Sequence, residues 1–179
     1  LLVIIDAKRG DIGNTNEQYA RSLLEDLGAD TITVHQYLGR ESAEPFLKRH
    51  DKGVFVLART SNSGAKEFQD LSVDGEPLFM RVARNVSNDW NSNGNCGLVV
   101  GATYVDELKQ VRTVAPKLPI LIPGVGAQGG NARDAFNAGK TAEGGVLITA
   151  GRSIIYASSN EDFAAAARTE LEKLSSELS

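Results

Sequence analysis

The stretch PGVGAQGG, residues 123–130, sets four glycines among eight residues directly after the apolar run Leu118–Ile122. Glycines this closely spaced let backbone N–H groups approach an anion, and the N-terminus of a following helix favours negative charge. A second loop of similar character, TAGRS at 149–153, closes the next apolar run, Val146–Thr149. Two consecutive strand-to-helix loops that share a phosphate are the habit of a TIM barrel, which uses its strands 7 and 8 for this purpose. A dinucleotide-binding sheet instead places its glycine-rich loop after the first strand, with an acid about twenty residues further on. Here the glycines come late, and the closed barrel is the expectation.

Working back from these loops, short apolar and β-branched runs recur at Leu1–Ile5, Thr31–Val34, Val54–Leu57 and Leu98–Val100. Each is continuous and not alternating, as parallel strands covered on both faces require. Helical stretches separate them. Asn14 or Thr15 can cap a helix through Tyr19, Leu23 and Leu24 that stops at Gly28. Glu41–His50 tolerates Pro45 only near its first turn. Glu76–Trp90, Tyr104–Val114, Asn131–Ala138 and Glu161–Leu178 complete the set, and SNDWNSNGNCG (87–97) reads as a loop. If the glycine loops follow strands 7 and 8, the visible strands are the third to eighth of a TIM (β/α)8 barrel. Such a barrel takes about 250 residues, whereas this chain has 179 and starts in mid-strand without Met. The expectation is one partial barrel domain, 1–179, lacking two βα units.

Composition narrows the function. With 41% hydrophobic and 23% charged residues the chain is ordinary for a globular protein. A net charge of −4 argues against a nucleic-acid binder, so an anionic ligand must be held by a local site. No run reaches the roughly 18 apolar residues of a membrane span, and nothing reads as a signal peptide. Cys96 is the single cysteine, which excludes an intrachain disulfide and points to a reducing cytoplasm. A lone thiol of this kind is expected to be inert.

The charged stretch DAKRGDIGNT (6–15) follows the first apolar run. Charges at the end of a buried strand are costly unless they pair or perform chemistry. Residues two apart on a strand point the same way, so Asp6 and Lys8 share a face while Ala7 and Arg9 take the other. At the C-terminal mouth of a barrel strand that face looks into the active site. Asp11 lies past Gly10, where the chain turns. An acid–base–acid array can hold a lysine charged while crowding negative charge beside it. That suits a reaction in which a carboxylate leaves and a carbanion is protonated. A D-x-K pair can also be a purely structural ion pair.

Together DAKRGDIGNT, LARTSNSGA, VVGAT, PGVGAQGG and TAGRSI make the sequence resemble the orotidine 5′-monophosphate decarboxylases, most closely the bacterial branch with longer loops. The likeness spans essentially the whole chain in order. It implies a cytoplasmic homodimeric barrel that removes CO2 from C6 of the orotate ring to give uridine 5′-monophosphate, in pyrimidine biosynthesis, without metal or organic cofactor. The family's charged array is Lys-Asp-Lys-Asp. Asp6, Lys8 and Asp11 match its last three members, and the first lysine would precede Leu1, so this chain alone is expected to be inactive. By the same resemblance Asp6 would crowd the substrate carboxylate and Lys8 would donate the proton to C6. Asp11 and Thr15 would enter the partner's site near the ribose, and Ser61 would hydrogen-bond the pyrimidine. Gln128 and Arg152 would hold the phosphate, with Gly151 lending backbone and Pro123 shaping the pocket. A guanidinium at the mouth of the last strand pairs well with phosphate on physical grounds too. Gln128 could instead cap the following helix.

Four positions depart from the family's pattern: His35-Gln36 for Asn-Pro, Ser63 for proline, and Val105 after GATY. His35 at a strand end reads more readily as a hydrogen-bonded structural residue than as an acid or base. Two rival readings remain. One is a sugar-phosphate decarboxylase or synthase of the same superfamily, using D-x-K-x-x-D around Mg2+. The other is a phosphate-binding barrel relic without catalysis.

Overall fold

The computed structural model describes residues 1–126 and 129–178. Its main sheet holds six parallel strands in the order β1 (Ile4–Arg9), β2 (Thr31–Val34), β3 (Gly53–Arg59), β6 (Cys96–Val100), β7 (Ile120–Ile122) and β8 (Val146–Ile148). Every neighbouring pair is parallel and sequential apart from the small antiparallel hairpin β4 (Ser72–Val73) and β5 (Glu76–Pro77) inserted after β3. Helices α1 (Gly13–Ala20), α2 (Gly39–Leu47), α3 (Lys66–Gln69), α4 (Leu78–Asn85), α5 (Val105–Val114), α6 (Ala132–Gly139), α7 (Arg152–Ile155) and α8 (Phe163–Glu177) alternate with them. This is the arc of a barrel, with its helices on the outside.

Strand alternation sorts the core into two layers. Val54, Val56, Leu98, Val100, Ile120 and Ile122 face the helices and join the large buried cluster. Phe55, Val99 and Leu121, packed with Ile4, Leu57 and Leu147, form a second cluster on the inner face of the arc. Because both faces are covered with apolar side chains, β2 and β6 are buried at every position, as their unbroken apolar runs require.

Several boundaries differ from the sequence reading. β1 begins at Ile4 and continues through the charged residues to Arg9, while Leu1–Val3 lie exposed ahead of it. Neither Asn14 nor Thr15 caps α1: the helix opens at Gly13 behind Ile12, without a side-chain cap. It then widens into a π-type segment over Arg21–Asp26 before Gly28 turns the chain at φ 69°. Pro45 sits well inside α2 and not in its first turn. Residues 86–90 continue α4 as a π-type turn that buries Trp90, and Cys96–Gly97 already belong to β6, so the 87–97 loop is shorter than expected. The β4–β5 hairpin occupies the start of the stretch read as one helix from Glu76.

Candidate active site

The C-terminal ends of β1, β3, β6, β7 and β8 surround a cavity of about 480 Å³, floored by Ile4, Leu57, Val99 and Leu121. Asp6, Lys8, Ser61 and Pro123 line it. Residues from three distant parts of the sequence thus meet at one mouth. Asp6 and Lys8 share the inward face with Ile4, as their spacing predicts, and Lys8 Nζ donates to Asp6 Oδ2 at 2.5 Å. Burial raises the Asp6 carboxyl, but hydrogen bonds from Lys8 and Thr33 and the Lys8 charge outweigh it and hold the group below its ordinary value. Asp6 is therefore ionised at neutral pH, and Lys8 stands as an ammonium donor beside it.

Asp11 and Thr15 do not line this cavity. Asp11 lies on the turn beyond Gly10, where its Oδ1 accepts the Ile12 N–H at 2.7 Å. Buried Asn16 clamps that turn by donating to the Asp11 and Ser42 carbonyls. Thr15 is exposed on α1. Asp11 thus stands on the turn beyond the strand, outside the lining of the cavity that holds Asp6 and Lys8.

The glycine loop after β7 folds back on itself through Gly126 N–H to Gly130 O at 3.1 Å and Gly130 N–H to Gly124 O at 3.1 Å. Gly124, Gly126 and Gly129 adopt φ of 95°, 73° and 86°, a region closed to most side chains. Gln128 lies outside the described residues. The loop after β8 approaches the first: a Cβ on Gly126 would sit 3.4 Å from Ser153 Oγ, and both loops line a shared cavity of about 260 Å³. Gly151 precedes α7, and the exposed Arg152 opens it with no side-chain ion pair or hydrogen bond among the described residues. The mouth thus offers an acid–lysine pair, whereas Gly151 and Arg152 line neither this cavity nor the smaller one between the glycine loops.

Four supporting residues escaped the sequence reading. Thr33, a polar residue within an apolar strand, accepts the Lys8 N–H and donates to Asp6 Oδ1. Gly101, in the VVGAT motif, lets the Ser61 loop close: a Cβ there would lie 2.8 Å from Ser61 Cβ. Arg59, fully buried at the end of β3, pairs with Asp70 at 3.0 Å and lies over the Tyr104 ring at 4.0 Å. Gln69 accepts from Thr60 N and donates to Thr60 Oγ1, which in turn donates to Asn62, so the residues flanking Ser61 are pinned. The cue for Arg59 was available in principle, since a charge ending an apolar strand demands a partner.

His35 is held structurally: Tyr37 N–H donates to Nδ1, which leaves the proton on Nε2 to bond Gly10 O at 3.2 Å. Cys96 is buried at the opposite end of the strands from the mouth, and burial pushes its thiol up to about 12. Both agree with the inert roles expected from sequence.

Parallel strands, outer helices, an inward acid and lysine, and glycine-containing loops after the last two strands define the arc of a TIM-type barrel. The chain belongs to the orotidine 5′-phosphate decarboxylase / HUMPS family, whose model matches residues 1–168. It is 53% identical over 167 residues to the orotidine 5′-phosphate decarboxylase of Janthinobacterium sp. (strain Marseille), and 55% identical over 167 residues to that of Azoarcus sp. (strain BH72). Each match covers 93% of this chain and 62% of the relative, so the chain spans about three fifths of their length. Among solved structures, Leishmania donovani UMP synthase superposes with a TM-score of 0.90 at 42% identity, covering 99% of this chain and 40% of that one. The orotidine 5′-monophosphate decarboxylase of Methanocaldococcus jannaschii, complexed with the inhibitor BMP, gives 0.72 at 28%, covering 97% and 73%.

Proposed function

We propose that this chain supplies most of the active site of an orotidine 5′-phosphate decarboxylase, acting without metal or organic cofactor. The observation that carries the reading is the convergence of ionised Asp6, Lys8 and Ser61 on one cavity at the mouth of the barrel arc. In this reading the pyrimidine rests on the apolar floor against Ser61 and Pro123, with its C6 carboxylate turned toward Asp6. Two adjacent carboxylates repel, and departure of CO2 relieves the repulsion while the electron pair of the broken bond stays at C6. Lys8 then gives that carbon a proton, which yields uridine 5′-monophosphate and leaves a neutral amine. Gln128, Gly151 and Arg152 hold the phosphate, and this remote binding energy organises the reacting centre.

We also propose a cytoplasmic homodimer in which Asp11 and Thr15 reach the partner's site. Exposed Ile12 on that turn, and exposed Tyr37 and Leu38 on the turn after β2, supply apolar surface for such an association. Among the described residues, no helix is long and apolar enough to cross a membrane.

The test is decarboxylation of orotidine 5′-monophosphate, followed by loss of orotate absorbance, in a full-length chain carrying this sequence. Lys8→Ala should abolish turnover while weakening nucleotide binding far less, because the phosphate loops remain. Near-normal kcat in that variant would remove Lys8 from the mechanism. Activity lost on chelation would favour the magnesium-dependent sugar-phosphate reading, and nucleotide binding without any turnover the relic.

A further inference from the structure

Thr33 joins the two charged residues of the mouth through a single hydroxyl. Its Oγ1 accepts the backbone N–H of Lys8 at 2.9 Å and donates its own proton to Asp6 Oδ1 at 2.8 Å. The direction of both bonds is fixed by chemistry, since an amide only donates and an ionised carboxylate only accepts. The side chain is 0% exposed, so water does not compete for the hydroxyl.

The need for it follows from the strand. Pairing of β1 with β2 runs from Ile5–Ile32 to Arg9–Val34, so four steps along β1 oppose two along β2. The intervening residues bulge, as strands do where a side chain must be re-aimed beside a site. Lys8 sits in this bulge at φ 48°, a left-handed conformation that costs a non-glycine residue energy and persists only where its surroundings impose it. Its amide has left the backbone ladder, and Thr33 takes the place of the missing carbonyl. Ile32 and Val34 face the helices and belong to the main core, whereas Thr33 has the inward parity. Packing alone would accept Val here, because it has the same shape.

We propose that Thr33 is a positioning residue. Its hydroxyl holds the Lys8 backbone in the bulge and the Asp6 carboxylate in the orientation that presents acid and ammonium together to the substrate. The inference rests on the reading of Lys8 and Asp6 as the reacting pair, and it adds a third, uncharged member on the adjacent strand that touches neither substrate nor product.

The experiment compares Thr33→Val and Thr33→Ser with wild type in a full-length chain carrying this sequence, measuring kcat, KM and thermal midpoint. Loss of one hydrogen bond to a charged group should lower kcat by on the order of 10- to 100-fold in Thr33→Val, with KM within about twofold. Thr33→Ser, which keeps the hydroxyl, should recover kcat to within about threefold of wild type. Should Thr33→Val fail to fold, Thr33→Ala against Thr33→Ser reads the same hydroxyl at nearly equal volume. A kcat unchanged in the hydroxyl-free variant overturns the proposal. So does a parallel loss of kcat, nucleotide affinity and thermal midpoint, which marks a merely structural strand residue. A wild-type chain without decarboxylase activity is a different result, and it removes the functional reading itself.

Discussion

Gly10 separates the strand-borne pair Asp6 and Lys8 from Asp11, and its missing side chain is what lets His35 pack beneath the turn. A Cβ built on Gly10 would lie well under 3.0 Å from Nε2, Cδ2 and Cε1 of the ring. Ordinary carbon contacts need about 3.5–4.0 Å, so Gly10→Ala must displace either the ring or the turn by about an ångström or more. If the ring is driven out, its bonds to Gly10 O and from Tyr37 N–H are lost, at about 0.5–1.5 kcal/mol each. If the ring stays, overpacking costs about 1–3 kcal/mol and Asp11 moves with the backbone. A misplacement of about 1 Å can lower a rate by about 100-fold. His35→Ala alone loses the same two hydrogen bonds but leaves room, so in the double variant the new methyl occupies space the ring has vacated. The double variant should therefore be no less stable than His35→Ala, falling short of the sum of the single effects by about 1–3 kcal/mol. Its activity should exceed that of Gly10→Ala. Urea denaturation and steady-state decarboxylation of the four proteins read both quantities. Strict additivity would refute the steric argument. A His35→Ala variant as inactive as Lys8→Ala would refute the structural role of His35 and make it a participant in the chemistry.

Arg152→Ala should lower kcat/KM at least about tenfold, since a charged hydrogen bond to phosphate is worth about 1.5–3 kcal/mol. The loss should shrink for a substrate without phosphate, and equal losses would show that Arg152 is structural. If Asp11 completes the partner's site in the proposed homodimer, mixing the Lys8→Ala and Asp11→Ala proteins should restore about a quarter of wild-type activity: random pairing makes about half the dimers mixed, and each has one intact site. No recovery after confirmed subunit exchange would place Asp11 in its own subunit's site. Because burial pushes Cys96 up to about 12, the folded thiol should resist iodoacetamide at pH 8 and react once unfolded. The raised value also means that its stabilising contribution is fully present below the free-thiol pKa, about 8.5, and fades as pH rises beyond it. Rapid labelling of the native protein would contradict its burial.

The strand–helix alternation, the position of the glycine loops and the shared face of Asp6 and Lys8 were all legible in the sequence. Each depends on local periodicity, on residues adjacent in the chain, or on backbone freedom that only glycine supplies. Ser61 and Pro123 could be named as site residues only through resemblance, because nothing local says which loops meet at one mouth. Helix starts were misjudged at Asn14 and Thr15, where Gly13 at φ 51° begins the helix without a side-chain cap. The interior position of Pro45 shows tertiary packing prevailing over local propensity. The β1 bulge, the positive φ of Lys8 and the Thr33 bridge lay beyond any reading of the chain. They arise from a register offset between two strands, and the partner that satisfies the freed Lys8 amide is 25 residues away in sequence. The same holds for Arg59 and Gln69: a buried cation announces that it needs partners, but only the folded chain brings Asp70, the Tyr104 ring and the Ser61 loop within reach.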